Sequence, residues 1–245
     1  MQLKLASALT LGVVLSPLVV HAQDGWSGEG SFSAGYTTGN TETRDLGLAV
    51  ALDRKAGLWT FGTEATADYG ETDEIETKNR WFLAGEVDRQ LGDALFGFGR
   101  TSYESDEFSG FESRFFIGGG LGYQVFDGEA TQWSIRGGPG LKIDEIRATD
   151  TEEASTEESF SAIAASEFSH QFNDAVGFSN NTDVLYASES TQFTNVAALT
   201  AALTNTLSAR FSVEVRHDTN PPEGFEATDT VTRASIVYTF GKSDG

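Results

Sequence analysis

The chain has 245 residues, with 27 glycines, 18 phenylalanines, no cysteine and a formal net charge of −21. The absence of cysteine excludes disulfides, thiolate metal sites and cysteine nucleophiles. With 16 basic residues against 37 acidic ones, the chain lacks the clustered positive charge that nucleic acid binding requires, and we expect no cofactor.

The first 22 residues have the features of a cleaved secretory signal peptide. Lys4 supplies a positive charge, residues 9–20 form a short apolar run, and Ala22 ends a small-residue cleavage site. We therefore predict that residues 1–22 are removed and that residues 23–245 form a single mature domain. The alternative is an uncleaved N-terminal helix.

The first part of the mature chain alternates between apolar and polar residues, as β-strands do. The facing of the fifth strand stays open, because Phe96 and Phe98 compete with Leu95 and Tyr103 for the apolar face. Residues 70–79, which are rich in acids, are predicted to form a long loop. The predicted strands cover residues 26–36, 46–52, 59–69, 80–88 and 94–104.

The central hairpin, residues 114–126 and 133–143, has the clearest alternation. Phe115, Ile117 and Leu121 lie in one register, whereas the other register is mostly glycine with arginine and lysine. Each strand has about ten residues, which is the length of a tilted strand that crosses a bilayer. An apolar face opposite a small, polar face is typical of a membrane barrel with lipid outside and a polar lumen inside.

The second half of the chain continues the same pattern after a predicted acidic loop at residues 147–159. The predicted connections after even-numbered strands are short, and most of those after odd-numbered strands are longer and polar, as in outer-membrane barrels with a periplasmic N-terminus. A lipocalin-like soluble barrel has fewer strands and no such alternation. We therefore predict an all-β fold, a single antiparallel transmembrane barrel of about 12 strands. Its later strands are predicted at residues 160–170, 176–186, 193–203, 207–216 and 234–240.

Several short motifs resemble one known family. They are Trp26-Ser-Gly near the start, the segments 108–114, 118–123 and 137–140, and the closing Val237-Tyr-Thr-Phe240. The chain resembles the salt-induced outer membrane proteins, the family of domain of unknown function 481. The resemblance implies a barrel in the bacterial outer membrane, a link to salt or envelope stress, contact with the lipid bilayer and lipopolysaccharide, and assistance from the barrel assembly machinery. It implies no reaction and no catalytic residue.

Charged side chains on the inward register form the candidate site. Confined charges of opposite sign are expected to pair, because an unpaired ion in a narrow space is costly. We expect Arg114, Arg136 and Arg210 to pair with acids such as Glu86, Glu104 and Glu214. The acids of the inward register are Glu29, Glu64, Asp68, Glu86, Asp88, Glu104, Asp144, Glu167 and Glu214. We therefore predict a non-enzymatic barrel with a narrow, salt-bridged polar lumen, and a channel for small solutes or ions is the alternative. The members of the candidate site are Arg80, Glu86, Arg100, Glu104, Arg114, Arg136, Lys142, Arg210, Glu214, Arg216 and Arg233.

Two other functions have weaker support. The acidic loops could collect divalent cations, but no calcium-loop spacing is present and a solvated surface explains them better. A surface hydrolase would need a base, and His217 beside Asp218 is the candidate. Neighbouring residues of a strand point to opposite faces, so this pair cannot form a dyad. We therefore predict no catalytic residue and no metal site.

Overall fold

The computed structural model describes residues 25–37, 43–148 and 153–241. The predicted signal peptide, residues 1–22, lies outside these ranges. No helix in the described ranges is long and apolar enough to cross a membrane. Within the described ranges the strands are β1 (Trp26–Thr37), β2 (Thr43–Ala56), β3 (Trp59–Thr72), β4 (Ile75–Gln90), β5 (Leu95–Asp106), β6 (Phe111–Asp127), β7 (Thr131–Ile146), β8 (Ser155–Asn173), β9 (Val176–Ala187), β10 (Thr191–Ala202), β11 (Leu207–Asp218) and β12 (Thr228–Phe240).

The strands form one closed antiparallel barrel. Each strand pairs with its neighbours in sequence, and β1 pairs with β12 to close the ring. The predicted fold class is therefore confirmed. Because the number of strands is even, β1 starts and β12 finishes at the same end of the barrel. We call this the terminal end and the opposite one the loop end. The periplasmic position of the terminal end stays a prediction.

The outer surface carries the apolar register that the alternation predicts. Leu121, near the middle of β6, is 57% exposed although it is a large aliphatic residue. Aromatic side chains stack on the same surface near both ends, Trp59 with Phe61 at the terminal end and Trp81 with Tyr103 at the loop end. An apolar band between aromatic girdles is the surface that a bilayer requires.

Two predicted acidic loops are shorter than expected. Gly70 pairs with Lys78, and the connection between β3 and β4 is reduced to a turn at Asp73 and Glu74, which have φ angles of 50° and 65°. The predicted loop at residues 70–79 was therefore wrong. Likewise β8 begins at Ser155, inside the predicted loop at residues 147–159. Strands can continue past the apolar band, because acidic side chains beyond the bilayer face water at no cost while the ladder keeps its hydrogen bonds.

One side of the lumen is apolar, in contrast to the predicted polar interior. The fifth strand turns Phe96 and Phe98 inward, and Phe98 forms a buried cluster with Phe116 and Ile163. The inward glycines of β6 and β7 provide the space for these rings. A Cβ atom on Gly140, for example, would lie 2.8 Å from Phe116 Cζ. The inward glycines of β6 and β7 therefore pack against aromatic rings, and they do not line an open pore on this side of the lumen.

We expect Gly140→Ala to destabilise the barrel by about 1–3 kcal/mol, because the added methyl group overpacks the site of the Phe116 ring. Gly99→Ala is the matched control, since nothing lies within 4 Å of a Cβ atom at that position. Denaturant unfolding in detergent micelles would measure both changes. Equal stability of the two variants would show that the rings move aside freely.

Candidate functional site in the barrel lumen

A network of ion pairs occupies the lumen towards the loop end. Arg233 contacts Asp68 at 2.9 Å and Glu214 at 2.6 Å. Arg80 contacts Glu104 at 2.8 Å and also lies 3.7 Å from Asp68. We call this network, which joins β3, β4 and β5 to β11 and β12, the central ion cluster. It consists of Asp68, Arg80, Glu104, Asp106, Glu214, Arg216 and Arg233.

The central ion cluster crosses the full width of the barrel. Arg216 on β11 lies 3.5 Å from Glu104 and 3.4 Å from Asp106, both on β5. These two strands face each other in the ring of strands. Arg114 on β6 likewise reaches Asp218 at the end of β11 at 2.8 Å. The lumen is therefore narrow at this level.

A second group of ion pairs lies nearer the terminal end. Arg136 is buried, contacts Glu86 and Glu167, and places its guanidinium 5.8 Å from the centre of the Phe98 ring. Arg210 forms a two-pronged pair with Glu29 through hydrogen bonds of 2.6 and 2.8 Å. The guanidinium fork matches a carboxylate in this way and fixes its position.

The remaining inward cations are also paired. Arg100 contacts Asp183 at 3.0 Å, and the buried Lys142 contacts Asp144 and the Ser190 hydroxyl, both at 2.8 Å. Every basic residue of the predicted site therefore contacts a carboxylate. Of the three arginines for which partners were predicted, two contact other acids than those named. Arg136 lies beside Glu86 as expected, whereas Arg114 and Arg210 contact Asp218 and Glu29.

Acidic residues outnumber basic ones in this network. The eight cationic side chains of the predicted site contact ten carboxylates in the described part of the chain. Glu64 adds a further carboxylate to the lining of the lumen. The ten carboxylates are Glu29, Asp68, Glu86, Glu104, Asp106, Asp144, Glu167, Asp183, Glu214 and Asp218.

Sequence reasoning missed three of these partners. Asp106 was assigned to an acidic loop, whereas it ends β5 and contacts Arg216. Asp183 could have been predicted as a lumen residue. Its neighbour Val184 belongs to the outward, apolar register of β9, so Asp183 must face inward. Asp218 lies beyond the predicted end of strand eleven at residue 216, and it was considered only beside His217. Its inward role depends on the length of β11, which extends past the apolar band.

Two cavities lie on either side of the ion pair between Asp68 and Arg233. The mid-lumen cavity has a volume of about 490 Å³ and lies against β1–β5 and β9–β12, with Glu64 and Arg210 in its lining. The loop-side cavity has a volume of about 620 Å³. Both are lined by Ser33, Asp68 and Arg233. The Asp68–Arg233 pair therefore stands at the junction of the two spaces.

The hydrolase candidates are separated by the barrel wall. His217 Nδ1 lies 2.8 Å from the Thr228 hydroxyl, whereas Asp218 points inward to Arg114. His170, at the terminal end, pairs with the Thr131 hydroxyl at 2.8 Å. In the described ranges, no three acidic or histidine side chains are arranged to hold a metal ion.

Solved outer-membrane barrels have the same fold at low sequence identity. The translocator domain of the autotransporter NalP from Neisseria meningitidis superposes with a TM-score of 0.53 at 13% identity, covering 90% of each chain. An outer membrane channel from Pseudomonas putida F1 gives 0.52 at 10% identity over 88% of this chain and 95% of the other. The NanC porin gives 0.50 at 10% identity over 88% and 99%. The chain therefore has the fold of these outer-membrane barrels.

Sequence comparison connects the chain to uncharacterised relatives. The "Uncharacterized protein YdiY" of Escherichia coli (strain K12) is 24% identical over 213 residues, which are 86% of this chain and 82% of the relative. The sequence model of one family, described as "Protein of unknown function, DUF481", matches residues 30–240, almost the whole barrel. The chain therefore belongs to the DUF481 family.

Proposed function

We propose that this protein is a non-enzymatic outer-membrane channel for small hydrophilic solutes, with a narrow, charged lumen. The observation that carries the proposal is the pair of cavities that meet at Asp68 and Arg233. Both cavities share the wall of β1–β5 and β11–β12, and the lining of neither includes the buried Phe98, Phe116 or Ile163. A solute that passes between the cavities needs to displace one guanidinium group rather than a packed core.

The charge of the lumen favours small cations as the permeating class. Carboxylates exceed cationic groups along the path, and Glu64 lines the mid-lumen cavity. Rings of acidic side chains attract cations and repel anions at close range. Large solutes do not fit, because Arg216 spans the width of the barrel to Glu104.

Planar-bilayer recording of the refolded protein tests this function. We expect a small, cation-selective conductance that rises severalfold in Arg233→Ala, because loss of the guanidinium joins the two cavities and leaves Asp68 with Arg80, 3.7 Å away, as its remaining cation among the ion pairs described above. Arg44→Ala, which removes an exposed pair with Glu71 at the rim, is the control and should leave the conductance unchanged. Arg233→Gln provides a bulkier variant if Arg233→Ala folds poorly. Silent recordings from wild type and both Arg233 variants would contradict the channel.

A closed, salt-bridged scaffold is the second candidate. The contact of Arg216 with Asp106 across the width of the barrel favours it, since paired charges that fill a lumen also rigidify it. Such a protein would conduct in none of these variants. The link to salt or envelope stress, the contacts with lipopolysaccharide and the use of the assembly machinery belong to the proposal and stay predictions.

A further inference from the structure

The seam between β1 and β12 is closed over only part of its length. Pairing runs from Gly28 with Phe240 to Ser33 with Ser235. β1 continues towards the loop end and keeps its pairs with β2, and the loop-side half of β12 keeps its pairs with β11. For the described residues, no pairing joins Ala34 or Gly35 to β12.

The loop-side cavity reaches both faces of the wall through this gap. Its lining includes inward residues such as Asp68 and Arg233, and also the outward residues Leu46, Phe211 and Ala234. Leu46 and Phe211 are large apolar residues of the outer surface, 49% and 54% exposed. These outward residues lie on β2, β11 and β12, beside the part of the seam that has no β1–β12 pairing, so the cavity opens there towards the outer surface.

Physical chemistry limits what can occupy such a gap. Unpaired backbone groups at membrane depth cost several kcal/mol each unless they line a polar cavity or find a partner. Here they border the polar lumen on one side and the apolar band on the other. An amphiphile matches both surroundings, with its head group in the lumen and its chain in the bilayer. Asp68 and Arg233 present opposite charges to the head group, which favours a neutral or zwitterionic one.

We propose that the loop-side half of the β1–β12 seam is a lateral portal for single-chain amphiphiles. The polar head enters the loop-side cavity beside Ser33, while the alkyl chain lies along Leu46 and Phe211 at the outer surface. This inference goes beyond the proposed channel, because it concerns exchange between the lumen and the bilayer rather than passage along the barrel axis.

Labelling of single cysteines in liposomes tests the portal, and the natural chain has no cysteine to interfere. The probe is dodecyl maleimide, whose chain stays in the bilayer. Ser33→Cys places the thiol beside the gap. Ser179→Cys is the matched control, because Ser179 also faces the lumen but lies on β9, where it pairs with Ser169 and Ala198. A small water-soluble methanethiosulfonate reagent measures access from water at each site.

We expect dodecyl maleimide to modify Ser33→Cys about tenfold or more faster than Ser179→Cys, because reaching Ser179 requires the chain to leave the bilayer at a cost for every methylene. Equal rates at the two sites would overturn the portal. The water-soluble reagent separates this result from the channel proposal. If it reaches neither thiol, the axial channel fails while fast alkyl labelling of Ser33→Cys still supports the portal.

Discussion

Arg136→Ala is expected to lower the free energy of unfolding by about 3–5 kcal/mol, because it leaves the partly buried Glu86 in the lumen without its cation. The substitution also removes the guanidinium group beside the Phe98 ring. Reversible denaturant unfolding in lipid vesicles measures the loss.

Arg44→Ala is the control for this prediction. The Arg44 side chain, which pairs with Glu71 at the rim, is 52% exposed. Exposed ion pairs contribute about 0–1 kcal/mol to the free energy of unfolding. An unchanged unfolding free energy for Arg136→Ala would mean that water already screens the lumen at this level. Together with a shift towards cation selectivity, that result would favour an open channel over a paired lumen.

Leu121→Arg is expected to destabilise the barrel by about 2–4 kcal/mol, because a charged group on the lipid face near mid-strand enters hydrocarbon. Leu58→Arg is the matched control. Leu58 is as exposed as Leu121 but lies in the turn between β2 and β3, where the cost falls to about 0–1 kcal/mol. Unfolding from vesicles compares the two variants, and equal losses would place Leu121 outside the apolar band.

The sequence was sufficient for the fold because strand geometry imposes a period of two. Once Phe115, Ile117 and Leu121 occupy one register, their neighbours must face the other side, whatever the rest of the chain does. The same rule identified Arg136 and Arg210 as lumen residues and separated His217 from Asp218. Each of these conclusions needs only a local pattern.

The ends of the strands and the facing of the fifth strand could not be predicted from the local sequence pattern. Gly70 and Lys78 look like loop residues, yet they pair because a hairpin continues into water as long as its ladder is intact. Phe96 and Phe98 face inward because the glycines of β6 leave room for their rings. That room exists only after β5 and β6 have paired.

Ion partners and the seam were decided by the tertiary structure alone. Arg216 meets Glu104 because closure of the ring brings β11 opposite β5, although the two residues are 112 positions apart in sequence. The length of the β1–β12 seam depends on the stagger with which the first and last strands meet. This stagger cannot be predicted from any short segment of sequence, because it is the sum of the registers of all the other strand pairs. The sequence by itself therefore determined which residues face lipid or lumen, and closure of the barrel determined which of them touch.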